Sequence, residues 1–350
     1  MLDRLCIEIY LFGVIMTNVV ITLWPSVMSE KVLSDMYKKW VRILRFNFPH
    51  FDYWSAEKFL SLIAKVDQDK DDPFLFLLDT QWPSVRLGDF SKELSFFKWE
   101  QFHLVVEESV VDISKKFLFC DYSFLLDDSS IWDIIKIDSG LLNVRVVEKN
   151  NDSLLVESLN DANIVWRRHV NLPWIKLRLP AISEKDRKDI QFAAKHNFDF
   201  VALSFVSSEQ DIFLVRDLLK KDTNKDISIV SKIENASAIS DLDDIVKYSD
   251  IVMVARGDLW VEMPIQKLPR YQRSIIEMWK KYKKPVVVAT EMLESMISRP
   301  VPTRAEVSDI FYAVEQGAAY LMLSGETAVG DYPVECVEMM NSIILEVDNK

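Results

Sequence analysis

The sequence predicts an α/β fold: a parallel barrel of eight alternating strands and helices, interrupted once by a small all-β insertion. Short apolar, β-branched runs alternate with amphipathic stretches, the pattern of βα units. Eight such runs occur, the number that closes a barrel. Between Gly88 and Val170 the pattern changes to short alternating runs separated by turn residues, as an inserted β-rich unit would show.

Residues 1–16 read as a leader, with Met16 as the natural start. Leu5 to Leu23 is apolar apart from Glu8, Tyr10, Thr17, Asn18 and Thr22. A membrane span needs about 20 predominantly apolar residues, and Glu8 is costly inside one. No basic flank or small-residue cleavage site marks a secretory signal. Barrel strands are expected at Val19–Leu23, Val41–Phe46, Phe74–Asp79, Phe200–Ser204, Ser228–Lys232, Ile251–Ala255, Pro285–Ala289 and Tyr320–Leu323. The helix after Ile182 opens with Ser183 as N-cap and Asp186 as the capping-box acid. The insertion, residues 88–170, holds runs at His103–Val106, Phe117–Cys120, Ile134–Ile137, Leu142–Val147 and Leu154–Val156. Its length lies in the small-domain range. Asp67–Asp72 is a charged loop.

The 350 residues are 49% hydrophobic and 27% charged, ordinary for a soluble globular protein. A formal net charge of −12 argues against a nucleic-acid or anionic-membrane surface. Cys6, Cys120 and Cys336 match no metal-ligand spacing and read as reduced thiols of a cytoplasmic protein.

The chemistry concentrates between Ile227 and Pro333. Apolar runs there end in Lys232 with Glu234, then Arg256-Gly257-Asp258, then Thr290, then Ser324. A parallel barrel gathers its strand C-termini on one face, so these groups converge. A lysine and two acids on such a face suit a magnesium-assisted reaction of an anionic substrate. Taken singly, each feature has a duller reading. A Lys-x-Glu pair is usually solvated, an Asp after Arg-Gly is a turn acid, and a Thr before Glu-Met-Leu-Glu caps a helix. His50 and His103 lack partners at metal-ligand spacing and read as structural or exposed. Met292 with Met296 reads as packing. Joint occurrence at successive strand ends outweighs these readings.

The runs SKIEN, ARGD, ATEMLESMISRPVPTRAEVSD and LSGETAVGDYP resemble the signature of the pyruvate kinase family almost word for word. Weaker matches stand at VVITLWPS, ILRFNFPH, LLDTQWPSVRLG and VNLPWIKLRLPAISEKD, so the resemblance covers about Thr17 to Asn349. It implies a TIM (β/α)8 barrel, residues 17–87 and 171–350, interrupted by a β-rich lid domain, residues 88–170. It also implies transfer of a phosphoryl group from phosphoenolpyruvate to ADP, giving pyruvate and ATP in glycolysis, with Mg²⁺ or Mn²⁺. By the same resemblance Glu234 and Asp258 would hold that metal, which takes few protein ligands. Lys232 would stabilise charge on the phosphoryl group and the enolate oxygen. Arg45 would grip the phosphoryl oxygens, and the Gly257 and Asp258 amides the substrate carboxylate. Thr290 would deliver a proton to the enolate carbon, with Ser324 in the relay. Arg86 matches a second phosphate-contacting arginine and, with Asn47 and His50, falls to the nucleotide. Asn47, Asp79 and Thr80 match a potassium site. The family's C-terminal effector domain is not matched, so regulation of that kind is not expected. The family is commonly tetrameric, but part of the usual contact surface lies in that domain, so the oligomeric state stays open.

The resemblance has gaps. Gln81-Trp82 stands where the family has Lys-Gly, and Ser84 where it has Glu or Lys. Glu291 replaces a glutamine and Phe51 a glycine. Pro49 replaces the hydroxyl-bearing serine of the potassium site, which puts monovalent-cation dependence in doubt. Trp24, Trp40, Trp82, Trp132, Trp174 and Trp260 stand where the family has glycine, with Trp99 as a seventh. The chain has only 7 Gly in 350 residues, against an average usage of about 7%. Six such replacements by selection are implausible; a codon decoded as glycine but rendered as tryptophan, UGA being the candidate, explains them together. Taken literally, Trp260 would crowd the metal site and Trp82 the loop of Arg86. Three functions therefore compete: a pyruvate kinase, a catalytically impaired barrel kept for binding, and a barrel lyase acting on an enolate of pyruvate. The lid and Arg45 speak against the lyase.

Overall fold

The computed structural model describes residues 17–81, 84–90, 92–165, 167–175, 177–180, 182–223 and 225–348. The leader, Cys6 and Trp82 lie outside the described residues. In chain order the strands are β1 (Asn18–Thr22), β2 (Ile43–Asn47), β3 (Leu75–Asp79), β4 (Leu94–Phe96), β5 (Gln101–Val105), β6 (Phe117–Phe119), β7 (Ile134–Ile137) and β8 (Leu142–Lys149). Then come β9 (Ser153–Ser158), β10 (Ala162–Ile164), β11 (Val170–Asn171), β12 (Phe200–Leu203), β13 (Ser228–Ile233), β14 (Ile251–Ala255), β15 (Val286–Ala289) and β16 (Tyr320–Leu323).

Eight of these close a parallel barrel in the order β1-β16-β15-β14-β13-β12-β3-β2. Each expected barrel run forms a strand, displaced at its ends by no more than two residues. The remaining strands make a six-stranded sheet, β11-β7-β8-β9-β5-β6, and a two-stranded sheet, β10-β4. The insertion is not wholly β: short helical turns at Glu108–Val110, Ile113–Lys115 and Leu125–Asp128 join its strands. The helix Glu184–Lys195 begins with the expected capping box of Ser183 and Asp186.

Barrel strands are buried on both faces, and every residue of β13 and β14 is buried. Side chains alternate between lumen and outer layer with period two. Val20, Ile43, Leu77, Phe200, Ala202 and Val230 belong to the lumen cluster. Their neighbours Ile21, Leu44, Leu78, Val201 and Ile229 pack outward in the main core. One step of that alternation toward the strand C-termini replaces the apolar lumen residues by Thr22, Arg45, Asp79, Ser204 and Lys232. The mouth is therefore polar because the same faces that build the core run two residues further.

The tryptophan positions carry an independent signature. Trp40, Trp99, Trp132 and Trp174 have φ of 65°, 71°, 80° and 67°, the left-handed region that glycine occupies without cost. Trp40 follows the helix Glu30–Lys38 and its cap residue Lys39. Its N–H donates to Tyr37 O and the Val41 N–H to Met36 O, the termination pattern that favours glycine. The other three are third residues of hydrogen-bonded four-residue turns. Glu100 N closes on Phe97 O, Asp133 N on Ser130 O, and Ile175 N on Leu172 O. A positive φ at that third position is the type II pattern, which calls for glycine. All four indoles are exposed, so no burial offsets the strain. Trp24 differs, with extended backbone at φ −169° and an edge-on contact to Phe51 at 4.9 Å. Trp260 lies within the helix Arg256–Glu262.

Two outcomes follow from the turn geometry. The natural gene carries UGA at positions 40, 99, 132 and 174, and peptides sequenced from the source cells carry glycine there; UGG codons would sink this reading. Replacing the four tryptophans by glycine stabilises the chain in thermal unfolding, by about 1 kcal/mol per site; a fall in melting temperature would contradict it.

Candidate active site

Arg45, Ser204 and Lys232 meet around one buried carboxylate, Asp79, while Gly257 and Thr290 form a separate corner. Arg45 Nε donates to Asp79 Oδ2 at 2.7 Å, and Lys232 Nζ to Oδ1 at 3.1 Å. Lys232 Nζ also donates to Ser204 Oγ at 2.7 Å and pairs with Glu234 Oε1 at 2.9 Å. Arg45 Nη1 donates to Thr22 Oγ1 at 2.9 Å, and that hydroxyl donates to Leu323 O. Asp79 and Glu234 are each 1% exposed, which overturns the solvated reading of the Lys-x-Glu pair. A lysine here survives burial only because two acids share it. Burial alone would depress the Lys232 ammonium, but Asp79 and then Glu234 outweigh it and hold the group charged. Asp79 stays ionised against its burial because Lys232 and Arg45 face it.

Glu234 is the frustrated member. Burial pushes its carboxyl up to about 7, Lys232 pulls it down, and the nearby Asp258 charge pushes it up again. Its Oε2 accepts from Phe205 N at 2.6 Å. Asp258, in the first turn of the helix Arg256–Glu262, is exposed toward solvent. Two mutually repelling carboxylates, one buried and one open, fit a hard divalent cation that keeps its remaining positions for water or phosphate oxygens. Among the described residues no group of three or more His, Cys, Asp or Glu is placed to hold a metal, so an ion here would rest on this pair.

Thr290 does not cap a helix, contrary to the simpler expectation. It follows β15 with φ 70°, and Glu291 follows at 52°. A β-branched residue there is strained, and such strain concentrates at functional sites. Thr290 Oγ1 accepts from Gly257 N at 2.8 Å, which leaves its own O–H free to donate. Arg256 locks the same corner, its Nη2 donating to Thr290 O at 2.6 Å and Nη1 to Asp309 Oδ2 at 2.5 Å. Ser324 follows β16, and its Oγ is buried without a hydrogen-bond partner. Met292 and Met296 are fully buried, as the packing reading expects.

Other expected residues stand apart. Asn47 pairs in register with Asp79, but both Asp79 oxygens are already met by cations. The Thr80 hydroxyl donates to Ala202 O and accepts from Ser204 N. His50 is exposed, its N–H on Asn47 O; His103 stacks on Phe117 at 4.2 Å. Arg86 sits where the insertion leaves the barrel, bridged to His169. Its Nη1 donates to Arg167 O at 3.1 Å, and Nη2 lies 2.7 Å from His169 Nε2. Arginine only donates, so that imidazole nitrogen accepts and the ring is neutral. Burial first, and then the Arg86 charge, hold His169 below its ordinary pKa.

Three residues at or beside the site escaped the sequence reading: Ser204, Thr22 and His169. Ser204 and Thr22 stand at the ends of expected strands, a usable signal; His169 gave none. Glu326 was visible only as part of LSGETAVGDYP. Its Oε1 accepts from Met292 N and Leu293 N, and Oε2 from Ser324 N, tying the β15 loop to the β16 end.

Comparison places this geometry among known proteins. A sequence model described as "Pyruvate kinase, barrel domain" matches residues 14–337. The tobacco protein "Pyruvate kinase isozyme G, chloroplastic" is 36% identical over 98% of this chain, which covers 60% of that relative. "Pyruvate kinase" of Clostridium acetobutylicum is also 36% identical, over 95% of this chain and 71% of its own length. A crystal structure of a pyruvate kinase from Cryptosporidium parvum superposes with a TM-score of 0.92 at 34% identity, covering 95% of this chain and 69% of that one. The chain thus spans about three fifths of the tobacco relative's length.

Substituting Asp79→Asn leaves two buried cations facing one another and is expected to cost about 3–5 kcal/mol in denaturant unfolding. Glu262, raised by burial to about 7, binds its proton more tightly folded than unfolded. The stability it contributes is full below about pH 4.5 and is lost as pH rises through 7. The Glu262→Gln chain therefore gains melting temperature over the unaltered chain between pH 5 and pH 8 in calorimetry. A pH-independent difference would contradict that.

Proposed function

The chain belongs to the pyruvate kinase family, and on that footing we propose that it transfers the phosphoryl group of phosphoenolpyruvate to ADP, giving pyruvate and ATP. The observation that carries the proposal is the buried Arg45–Asp79–Lys232–Glu234 chain at the barrel mouth. Phosphoryl transfer asks a protein for positioning and charge neutralisation rather than covalent chemistry. Asp79 holds both cations, so neither reorganises when substrate charge arrives. Arg45 grips phosphoryl oxygens, and Lys232 faces the oxygen on which enolate charge develops. Glu234 and Asp258 would hold Mg²⁺ or Mn²⁺, and the ion would supply Lewis-acid neutralisation of developing negative charge. The Gly257 amide, expected to share the substrate carboxylate, is taken by Thr290 Oγ1, so the Asp258 amide is left to orient that carboxylate. Thr290, its Oγ1 lone pair occupied by Gly257 N, presents its proton to the enolate carbon, and Ser324 on the adjacent strand end serves the relay.

Residues 17–87 and 171–350 are taken as the catalytic barrel and 88–170 as the lid, with Arg86, Asn47 and His50 toward the nucleotide. Among the described residues no helix is long and apolar enough to cross a membrane; a cytoplasmic location is part of the proposal. A second reading, an impaired barrel that binds without turnover, rests on the departures at Pro49, Gln81 and Ser84 and on the tryptophans.

A coupled assay with phosphoenolpyruvate, ADP and Mg²⁺ tests the proposal on the glycine-restored chain. Turnover is expected, with kcat falling about 10²–10³-fold in Lys232→Met. Chelation by EDTA should abolish it and added Mg²⁺ restore it. Phosphoenolpyruvate binding without turnover would favour the binding barrel, and carbon–carbon cleavage the lyase.

A further inference from the structure

One buried acid has no part in the chemistry above. Glu262 ends the helix Arg256–Glu262 and is 7% exposed. Its Oε1 accepts from Asn171 Nδ2 at 2.8 Å. Asn171 belongs to β11, the strand that returns the insertion to the barrel. It stands opposite Lys136 of β7 in the sheet register, and the Lys136 ammonium acts on the same Glu262 carboxyl. A second contact lies beside this one. A Cβ on Gly140, in the β7–β8 turn, would stand 3.8 Å from Lys136 Cδ and 4.0 Å from Trp260 Cζ3. The insertion thus rests on the C-terminal half of the helix Arg256–Glu262.

The N-terminal half of that helix is tied elsewhere. Gly257 N donates to Thr290 Oγ1, and Arg256 reaches Ala289 O, Thr290 O and Asp309. Asp258 stands between the two attachments. Seven helical residues span only about 10 Å, and a hydrogen-bonded helix that short moves as a rigid piece. A displacement of Glu262 is therefore passed to Asp258. Buried acids are costly unless paired, and the partners of Glu262 come from a different sheet. That is the arrangement of a contact between two bodies rather than of a core residue.

We propose that Glu262 is a positioning residue that latches β11, through Asn171, to the helix bearing Asp258, so that lid orientation sets where that carboxylate stands. The latch itself is independent of turnover; its consequence for the metal rests on Asp258 being a ligand, as proposed above.

The test uses the full chain with Glu262→Ala, Glu262→Gln, Asn171→Ala and the double alanine variant. Hydrogen exchange without substrate should quicken about tenfold at residues 134–142 and 170–172 in either alanine variant, the loss of one hydrogen bond to a charged group. Barrel strands β13 and β14 should be unchanged, which separates unlatching from unfolding. The double variant should behave like either single one, since both remove the same contact. Glu262→Gln, which keeps an acceptor, should lie closer to the unaltered chain. Mn²⁺ binding, read by electron paramagnetic resonance, should weaken several-fold in the alanine variants, and KM for the nucleotide should rise more than kcat falls. Unchanged exchange at β7 and β11, or additive effects in the double variant, would overturn the latch. Faster exchange with unaltered Mn²⁺ binding would overturn the coupling to Asp258 while leaving the latch. A chain without turnover whose exchange still responds would count against the proposed function and not against the latch.

Discussion

The site depends on one buried anion shared by two cations. Asp79 lies at the end of β3, with Arg45 on one oxygen and Lys232 on the other. Taking three charged groups out of water is costly, and only close pairing with filled hydrogen-bond positions offsets the cost. Ser204, Thr22 and Glu234 supply that filling. Remove the carboxylate and Arg45 loses its ion-pair partner, while Lys232 keeps only Glu234.

The barrel provides this arrangement almost without extra devices. Parallel strands with period-two alternation place one face of each strand in the lumen, and the polar layer is simply the last lumen position of five neighbouring strands. The specialised devices lie in the loops. Thr290 and Glu291 hold left-handed backbone after β15, and Glu326 braces that loop with two backbone amides. Strain at Thr290 and Glu291, clamped from the next strand end, is of the kind that preorganised sites hold.

The left-handed tryptophans belong to a different category, because their indoles are exposed. Four exposed indoles at a helix terminus and at three type II turns serve no packing purpose, and the same backbone is free to glycine. The fold tolerates them because each stands at a surface turn with its side chain directed to solvent. Trp260 is the exception that touches function, since it shares a short helix with Asp258 and reaches the turn at Gly140.

What the sequence by itself determined was the barrel and the identity of the groups at its mouth. Eight β-branched runs spaced by amphipathic helices admit few closed arrangements, and local alternation decides which residues face inward. Lys232, Glu234, Asp258 and Thr290 were therefore legible, as were the glycine-demanding turns. What only the tertiary structure decided was who partners whom. That Asp79 serves Lys232 and Arg45, that Thr290 turns left-handed instead of capping a helix, and that Glu262 meets Asn171 across 91 residues of chain depend on strand stagger and lid docking. Those are set by the packing of distant segments, and no local pattern of residues encodes them.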